Sequence, residues 1–177
     1  RMQKIDAEYR SDRRTIRKAS MDDLPIIMDF LRQGREKMIA AGNLNQWRKG
    51  YPAQQTIEQD IQRNGSFLLC ENDIPIATFA FLPGPEPTYS YIEGGHWLDD
   101  SPYYVIHRVA SMDGVHGIMA DIIAYCSSVA HALRIDTHAD NRPMQKALSR
   151  LGFAYCGVIY LQSGDSRMAF QKITSAL

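Results

Sequence analysis

A stretch near the middle of the chain combines a predicted strand, a glycine-bearing turn and a long helix. The strand covers Val105–Ala110, and Gly114 and Gly117 lie between it and the helix. Glycine at such a turn lets the backbone approach a ligand closely, and a helix start offers unpaired N–H donors at the positive end of the helix dipole. The pattern is typical of a pyrophosphate site. It fits equally well two glycines that only shape a tight turn.

Three potential metal ligands alternate further along the chain. Asp136, His138 and Asp140 are of residue types that bind divalent metals. Three ligands this crowded, with no Cys–His spacing elsewhere, argue against a metal site, and we predict none. We also find no properly spaced Ser–His–Asp or Cys–His set, so we expect no covalent enzyme intermediate.

The composition excludes several classes of function. Lys plus Arg number 20 and Asp plus Glu number 20 among 177 residues, so there is no electrostatic reason to expect nucleic acid or an anionic membrane surface as a partner. No apolar run approaches the roughly 18 residues of a membrane span, and no signal peptide is visible. An odd, sparse set of cysteines, Cys70, Cys126 and Cys156, fits a reducing cytoplasm, and we expect a cytoplasmic protein.

The elements that must position these residues follow from hydrophobic periodicity and turn residues. Residues 1–13 are a polar arm, and residues 14–177 form a single mixed α/β domain. The pattern predicts, in order, a strand over 15–19, a long helix from an N-cap at Ser20 to near Gly42, a short helix over 56–62, strands over 66–71, 74–82 and 103–109, a second long helix from Ile118 to Leu133, a strand over 134–137, a helix from Asn141 to Gly152, and strands over 154–161 and 167–173.

A more specific pattern lies between Asp136 and Gly157. Asp136-Thr137-His138 precede Asn141 and Met144-Gln145, and the helix that follows ends in Leu151-Gly152-Phe153, within Gly-Phe-x-Tyr-Cys-Gly. Together with Asn45-Gln46-Trp47 and Gly50-Tyr51-Pro52, this pattern resembles the GNAT superfamily of N-acetyltransferases, and within it a bacterial subgroup. The resemblance covers residues 14–174, nearly the whole chain.

The resemblance implies an α/β (α+β) fold, with a mixed, largely antiparallel central sheet whose two parallel strands splay apart and which is flanked by helices. It implies an acetyl-CoA-dependent N-acetyltransferase that moves an acetyl group by direct transfer to a primary amine, with a small-molecule or peptide amine as acceptor. Two alternatives stay open: a non-catalytic acyl-CoA-binding or regulatory module, and a fold that has lost the cofactor site and serves a protein interaction. The resemblance also allows a homodimer.

Cofactor contacts are expected, by the same resemblance, from the strand before the turn, from the turn and from the helices that follow it. These residues are Val109, Ala110, Ser111, Gly114, Val115, His116, Gly117, Ile118, Met119, Asn141 and Met144. Aligned on Gly117, only this central glycine keeps the family's loop pattern, and Met119 stands where the family has Gly or Ala. Backbone N–H groups supply most of the binding at such a turn, so the prediction depends little on these side chains.

Catalytic roles also come from the resemblance. His107 stands where many members carry a carboxylate base, and its ordinary pKa of roughly 6.5 suits that role. Strand alternation predicts that His107 shares a face with Val109, and a structural histidine is the alternative. The backbone N–H of Val109 or Ala110 is the expected oxyanion donor. Leu148 occupies the position of the family's acidic tyrosine. Tyr155, Cys156 and Tyr160 are nearby in sequence and could replace it, and of these we predict Tyr160; packing within the strand is the alternative role for the tyrosines.

The acceptor side is implied by the position of four loop residues. They are Trp47, Tyr51, Glu93 and Trp97, and an aromatic pocket with one carboxylate would suit a small amine. An equal alternative is that Trp47 and Trp97 pack loops onto the core.

Overall fold

Seven strands and four α-helices form along residues 13–174, which are the residues that the structure, a computed structural model, describes. All of the predicted N-terminal arm except Arg13 lies outside them. The elements are β1 (Arg14–Lys18), α1 (Leu24–Ala40), α2 (Gln54–Gln62), β2 (Ser66–Glu71), β3 (Ile74–Pro83), β4 (Tyr104–Ser111), α3 (Ile118–Val129), β5 (Ala132–Thr137), α4 (Arg142–Arg150), β6 (Ala154–Tyr160) and β7 (Ser166–Ile173), with short 3₁₀ turns at Met21–Asp23 and Pro87–Tyr89.

The seven strands form one sheet in the order β1-β2-β3-β4-β5-β7-β6. All neighbours are antiparallel except β4 and β5, which are parallel and pair only at Tyr104 with Leu133 and at Val105 with Arg134. Beyond Val105 the two strands separate. The predicted fold, a largely antiparallel sheet with splayed central parallel strands and flanking helices, is therefore confirmed.

Helices cover both faces of the sheet. On one face α1 and α2 bury apolar positions at helical spacing, among them Ile27, Phe30, Leu31, Ile57 and Ile61. On the other face α3 and α4 bury Ile122, Ile123, Cys126 and Leu148 against the central strands. α1 comes very close to β4 at Gly34, where an added Cβ would stand 3.0 Å from the Cβ of Ala110. No helix of residues 13–174 combines the length and the apolar character that crossing a bilayer requires.

A β-bulge interrupts β4 in the middle of the sheet. Thr78 of β3 pairs with Ala110 and Ala80 pairs with His107, so β4 carries one residue more than β3 over this interval. Arg108 is the residue at which β4 bulges, and its φ of 53° lies in the left-handed region. Val109 consequently packs into the core under α3, whereas the His107 ring lies 6.2 Å from the Tyr89 ring on the opposite face. The prediction that His107 and Val109 share a face is therefore wrong.

The second long helix is shorter than predicted. α3 ends at Val129, and Leu133 belongs to β5. Leu133 is fully buried because β5 is a central strand. Leu133 therefore continues the apolar spacing of α3 by coincidence, from a buried position inside the next strand. The other predicted elements lie within about two residues of their observed bounds.

Candidate active site

A cleft opens where β4 and β5 separate, and it has two adjoining parts. The first, which we call the polar cavity, has a volume of about 180 Å³ and is lined by Gln46, Trp47, Tyr51, Glu86, His107, Asp136 and Arg167 among others. The second, which we call the apolar groove, has a volume of about 280 Å³ and is lined by Gly34, Lys37, Ala110, Ser111, Ile118, Met119, Asn141, Pro143 and Ala147. Met38, Val109 and Met144 line both parts, so the two form one continuous cleft.

His107 and Glu86 face each other in the polar cavity. The Nε2 atom of His107 lies 3.7 Å from Oε1 of Glu86. The other carboxylate oxygen, Oε2, accepts a hydrogen bond from the backbone N–H of Thr88 at 3.0 Å. The contact with His107 lowers the pKa of Glu86 below its ordinary value. Partial burial raises this pKa, and the hydrogen bond from the Thr88 N–H lowers it further. Glu86 is therefore a carboxylate at neutral pH, beside the imidazole of His107.

A second carboxylate, Asp136, enters the cavity from β5. Its Oδ2 accepts a hydrogen bond from the hydroxyl of Tyr89 at 2.6 Å. Burial, together with the charge of Asp136, raises the pKa of Tyr89 well above its ordinary value. Tyr89 therefore stays protonated and acts as a donor. This bond fixes one oxygen of Asp136 and leaves the other for a ligand.

The loop before α2 closes one side of the cleft through Gln46. The side-chain oxygen of Gln46 accepts hydrogen bonds from Asn43 at 2.9 Å and from Asn141 at 3.0 Å. Asn141 caps α4 by accepting from the N–H of Met144 at 3.2 Å. The backbone oxygen of Gln46 accepts from the guanidinium of Arg167 at 3.0 Å. The loop, the start of α4 and β7 are thereby held together around the cavity.

A buried ion pair with α2 stabilises the bulge in β4. Arg108 donates from Nε and Nη2 to the two oxygens of Asp60 in α2, both at 2.8 Å. A bidentate guanidinium–carboxylate pair of this kind fixes orientation as well as charge. It offsets the roughly 1–2 kcal/mol that a non-glycine residue loses in the left-handed region. The pair therefore sets the backbone position from which His107 projects.

The apolar groove runs beside an unpaired backbone edge. Because β5 leaves β4 after Val105, the edge of β4 that faces the groove has no strand partner there. An unpaired edge offers hydrogen bonds to an extended ligand. Lys37 of α1 donates to the backbone oxygens of Ser111 at 3.2 Å and Met112 at 2.9 Å, and so fixes the end of β4.

The turn between β4 and α3 has the predicted glycine geometry. Gly114 has φ of 77° and Gly117, the N-cap of α3, has φ of 74°, both in the region that favours glycine. Arg14 of β1 donates to the backbone oxygen of His116 at 2.8 Å and to the carboxylate of Asp121 at 2.9 Å. The first N–H groups of this twelve-residue helix have no partner within the helix and lie next to the apolar groove.

Most of the residues predicted to form a site do come together in the cleft. Trp47, Tyr51 and His107 line the polar cavity, and Ala110, Ser111, Ile118, Met119 and Asn141 line the apolar groove, with Val109 and Met144 in both. Gly114, Val115 and His116 lie at the outer turn with Arg14.

Three further predicted residues lie away from both the cleft and the glycine turn. The hydroxyl of Tyr160 donates to the carboxylate of Glu93, whose backbone pairs with Val158 of the outer strand β6. Trp97 packs against Tyr89 and donates from Nε1 to its backbone oxygen at 2.9 Å. The structure therefore does not bring Tyr160, Glu93 or Trp97 to His107.

Several cleft residues were missed by sequence reasoning. Glu86 lies between two prolines in a loop, where no local pattern marks it. Arg167 alternates with Ala169 and Gln171 in β7, and all three are buried. A polar residue at an inward position of a strand was the available signal. Asp136 belongs to the Asp136-Thr137-His138 pattern and was weighed as a metal ligand, but it was given no role in the cleft. No group of three or more His, Cys, Asp or Glu side chains in residues 13–174 could hold a metal ion.

Comparison with solved structures defines the class of protein. An acetyltransferase of the GNAT family from Streptococcus agalactiae 2603 is 30% identical, with a TM-score of 0.82 over 92% of this chain and 96% of that one. A putative acetyltransferase from Staphylococcus aureus Mu50 is 23% identical, with a TM-score of 0.67 over 90% and 98%. An aminoglycoside N(6′)-acetyltransferase from Legionella pneumophila is 12% identical, with a TM-score of 0.63 over 91% and 92%, and shares the fold.

Neither a protein-family profile nor a curated protein sequence matches the chain. The first of these structures nevertheless aligns over almost its whole length. The chain therefore belongs to the GNAT family of acetyltransferases, enzymes that carry out acyl transfer.

Proposed function

We propose that this protein transfers an acetyl group from acetyl-CoA to a primary amine, directly and without a covalent enzyme intermediate. The observation that carries the proposal is the continuity of the cleft. The apolar groove runs into the polar cavity at Met38, Val109 and Met144, so an extended donor in the groove would end where His107 and two carboxylates stand.

The residues of the groove fit acetyl-CoA. Its walls are largely apolar, and the free backbone edge of β4 at Val109–Ser111 suits the amide groups of a pantetheine arm. Gly114, Gly117 and the first N–H groups of α3 would hold the pyrophosphate. Met119 forms part of the wall and packs against the core, and the groove stays open beside it. Bound there, acetyl-CoA supplies a thioester carbonyl that an amine can attack.

The polar cavity would prepare the amine. An amine reacts only after losing a proton, and His107 lines the cavity with Nε2 available to accept it, directly or through one water. A volume of about 180 Å³ leaves room for several water molecules. Glu86 at 3.7 Å would stabilise the protonated imidazole.

The backbone at the bulge would stabilise the negative charge that develops on the oxygen of the thioester carbonyl. We assign the oxyanion donor to the N–H of Val109 or Ala110, next to the point where groove and cavity meet. No dedicated acid is assigned, because a thiolate leaves readily near neutral pH. The position of Tyr160 outside the cleft agrees with this assignment.

The experiment is a titration calorimetry measurement of acetyl-CoA and of free CoA, followed by a screen of amines that records thiol release. Micromolar binding of acetyl-CoA together with amine-dependent thiol release is the expected result. Binding without thiol release from any amine would favour the non-catalytic acyl-CoA-binding alternative. Absence of binding up to millimolar cofactor would overturn both.

A further inference from the structure

Arg167 is a buried cation without a matching anion. Its residue is 5% exposed, and its guanidinium donates only to backbone oxygens, those of Ser166 at 2.8 Å and Gln46 at 3.0 Å. Within residues 13–174 no carboxylate forms an ion pair with it. A buried charge without a counter-charge is strongly unfavourable, so such a group usually has a function that maintains it.

The other buried arginines of the chain show what compensation looks like. Arg108 is held bidentately by Asp60. Arg134, also 5% exposed, is stacked between two aromatic rings, 4.1 Å from the centroid of Trp97 and 3.9 Å from that of Tyr103. Neither solution is present at Arg167. What distinguishes Arg167 from Arg134 is that it lines the polar cavity.

The polar cavity therefore presents opposite charges at separate points. Arg167 lies on its β7 side, and Glu86 and Asp136 stand on other parts of its wall. Asp136 and Asp165 lie near enough to influence Arg167 electrostatically, but neither makes an ion pair with it, and Asp165 pairs with Arg48 instead. Charges held apart in this way can each bind the opposite end of one small zwitterion. The volume of about 180 Å³ suits a small molecule.

We propose that the acceptor is a small free amino acid, whose carboxylate binds Arg167 and whose amino group lies among Asp136, Glu86 and His107. This inference rests on the proposed function and specifies its substrate class. The amino nitrogen forms the new amide bond while the carbon–sulfur bond of the thioester breaks. Of the two protons that the ammonium group loses, one leaves through His107 to solvent, and the other ends on the released CoA thiol.

The test compares each common small amino acid with its own primary amide, at saturating acetyl-CoA and with thiol release as the readout. The amide keeps the side chain and the amine and removes the negative charge. Because the amide also makes the amine less basic, the two substrates are compared per concentration of unprotonated amine. For the acid that reacts best, kcat/KM should exceed that of its amide by about 10- to 100-fold, mainly through KM, since the lost bond joins two charged groups. An amide accepted as well as its acid, or better, would overturn the inference.

Variants locate the selectivity. Arg167→Gln should remove the preference for acid over amide, and Arg167→Lys should restore part of it. Arg134→Gln is the matched control, because it removes an equally buried guanidinium that does not line the cavity. It should lower stability and leave the ratio of acid to amide unchanged. Retention of acetyl-CoA binding by Arg167→Gln shows that the variant is folded.

A binding measurement separates the two levels of the proposal. The wild-type protein with saturating CoA is screened for thermal stabilisation by the same amino acids and amides. Stabilisation by acids and not by amides supports the inference. If CoA binds and no amino acid stabilises the protein, the inference fails and the proposed acetyl transfer stands. If CoA itself does not bind, the proposed function fails.

Discussion

The two parts of the cleft are lined by different chemical groups. The apolar groove is lined by the free edge of β4, the start of α3 and mostly apolar or small side chains of α1 and α4, and the backbone of the glycine turn adjoins it. The polar cavity is shaped by charged side chains that arrive from β4, β5, β7 and the loop before β4. Backbone groups are the same whatever the sequence, and a side-chain charge is lost by one substitution. We therefore expect substitutions to leave donor binding largely intact and to change acceptor chemistry strongly.

The largest effect is expected at His107. His107→Ala should lower kcat/KM for the amine by about 10²- to 10⁴-fold, the usual contribution of a general base. The Kd of acetyl-CoA should change by less than about threefold, since donor binding depends on the other part of the cleft. His96→Ala, at an exposed loop histidine outside the cleft, is the control and should match the wild type in both assays. Equal losses of donor binding and turnover in His107→Ala would contradict the division between the two parts.

A large effect on stability is expected at the ion pair between Arg108 and Asp60, which holds the bulge of β4. Asp60→Ala leaves the guanidinium of Arg108 buried without its partner, which should lower the free energy of unfolding by about 3–5 kcal/mol. Urea denaturation measures it. Glu58→Ala on the same helix, whose partner Gln54 is exposed, should change stability by less than about 0.5 kcal/mol. A loss below about 1 kcal/mol for Asp60→Ala would show that the bulge does not depend on this ion pair.

A moderate effect on the donor part is expected at Arg14, which ties the glycine turn to β1. Arg14→Ala removes its bonds to His116 and Asp121 and should raise the Kd of acetyl-CoA about tenfold, since the turn must then be ordered on binding. Arg17→Ala, on the same strand and paired with Asp23 at the surface, should change the Kd by less than about twofold. Calorimetry that found equal effects would mean that Arg14 does not organise the turn.

The smallest effect is expected at Tyr160. Tyr160→Phe breaks its bond to the Glu93 carboxylate outside the cleft and should leave kcat/KM within about twofold of the wild type. Steady-state kinetics with the best amine measures it. A loss of about a hundredfold would indicate that Tyr160 is the general acid. It would also mean that residues outside the observed lining take part in the reaction.

Much of the fold was predictable because its signals are local. The pattern of Leu24 to Met38, the turn at Asn72-Asp73 and the cap at Asn141 each depend on neighbours a few residues away. The end of α3 was predicted wrongly because Leu133 continues the apolar spacing from inside a strand. The bulge at Arg108 gave no local signal, since a positive φ at arginine is stabilised by Asp60, 48 positions earlier in the chain.

The candidate site shows the same difference between residues with local sequence signals and residues without them. The donor part largely follows the order of the chain, through β4, the turn and α3, and the residues of that run were named from the sequence, whereas Gly34 and Lys37 of α1 were not. The acceptor part joins residues that are distant in sequence, such as Glu86, Asp136 and Arg167. Nothing near Glu86 or Arg167 in the sequence indicates that they meet. Their proximity depends on the order of the strands, which puts β7 beside β5.

The bonds of Arg14 also connect the edge of the sheet to the occupancy of the cleft. β1 pairs only with β2, so its amide hydrogens belong to the least protected part of the sheet. A ligand that binds more tightly when the turn is held by Arg14 must, by thermodynamic linkage, stabilise the contact between β1 and the turn in return. Hydrogen–deuterium exchange in β1 should therefore slow in proportion to cofactor saturation, which makes a strand far from the reacting atoms an internal reporter of donor binding.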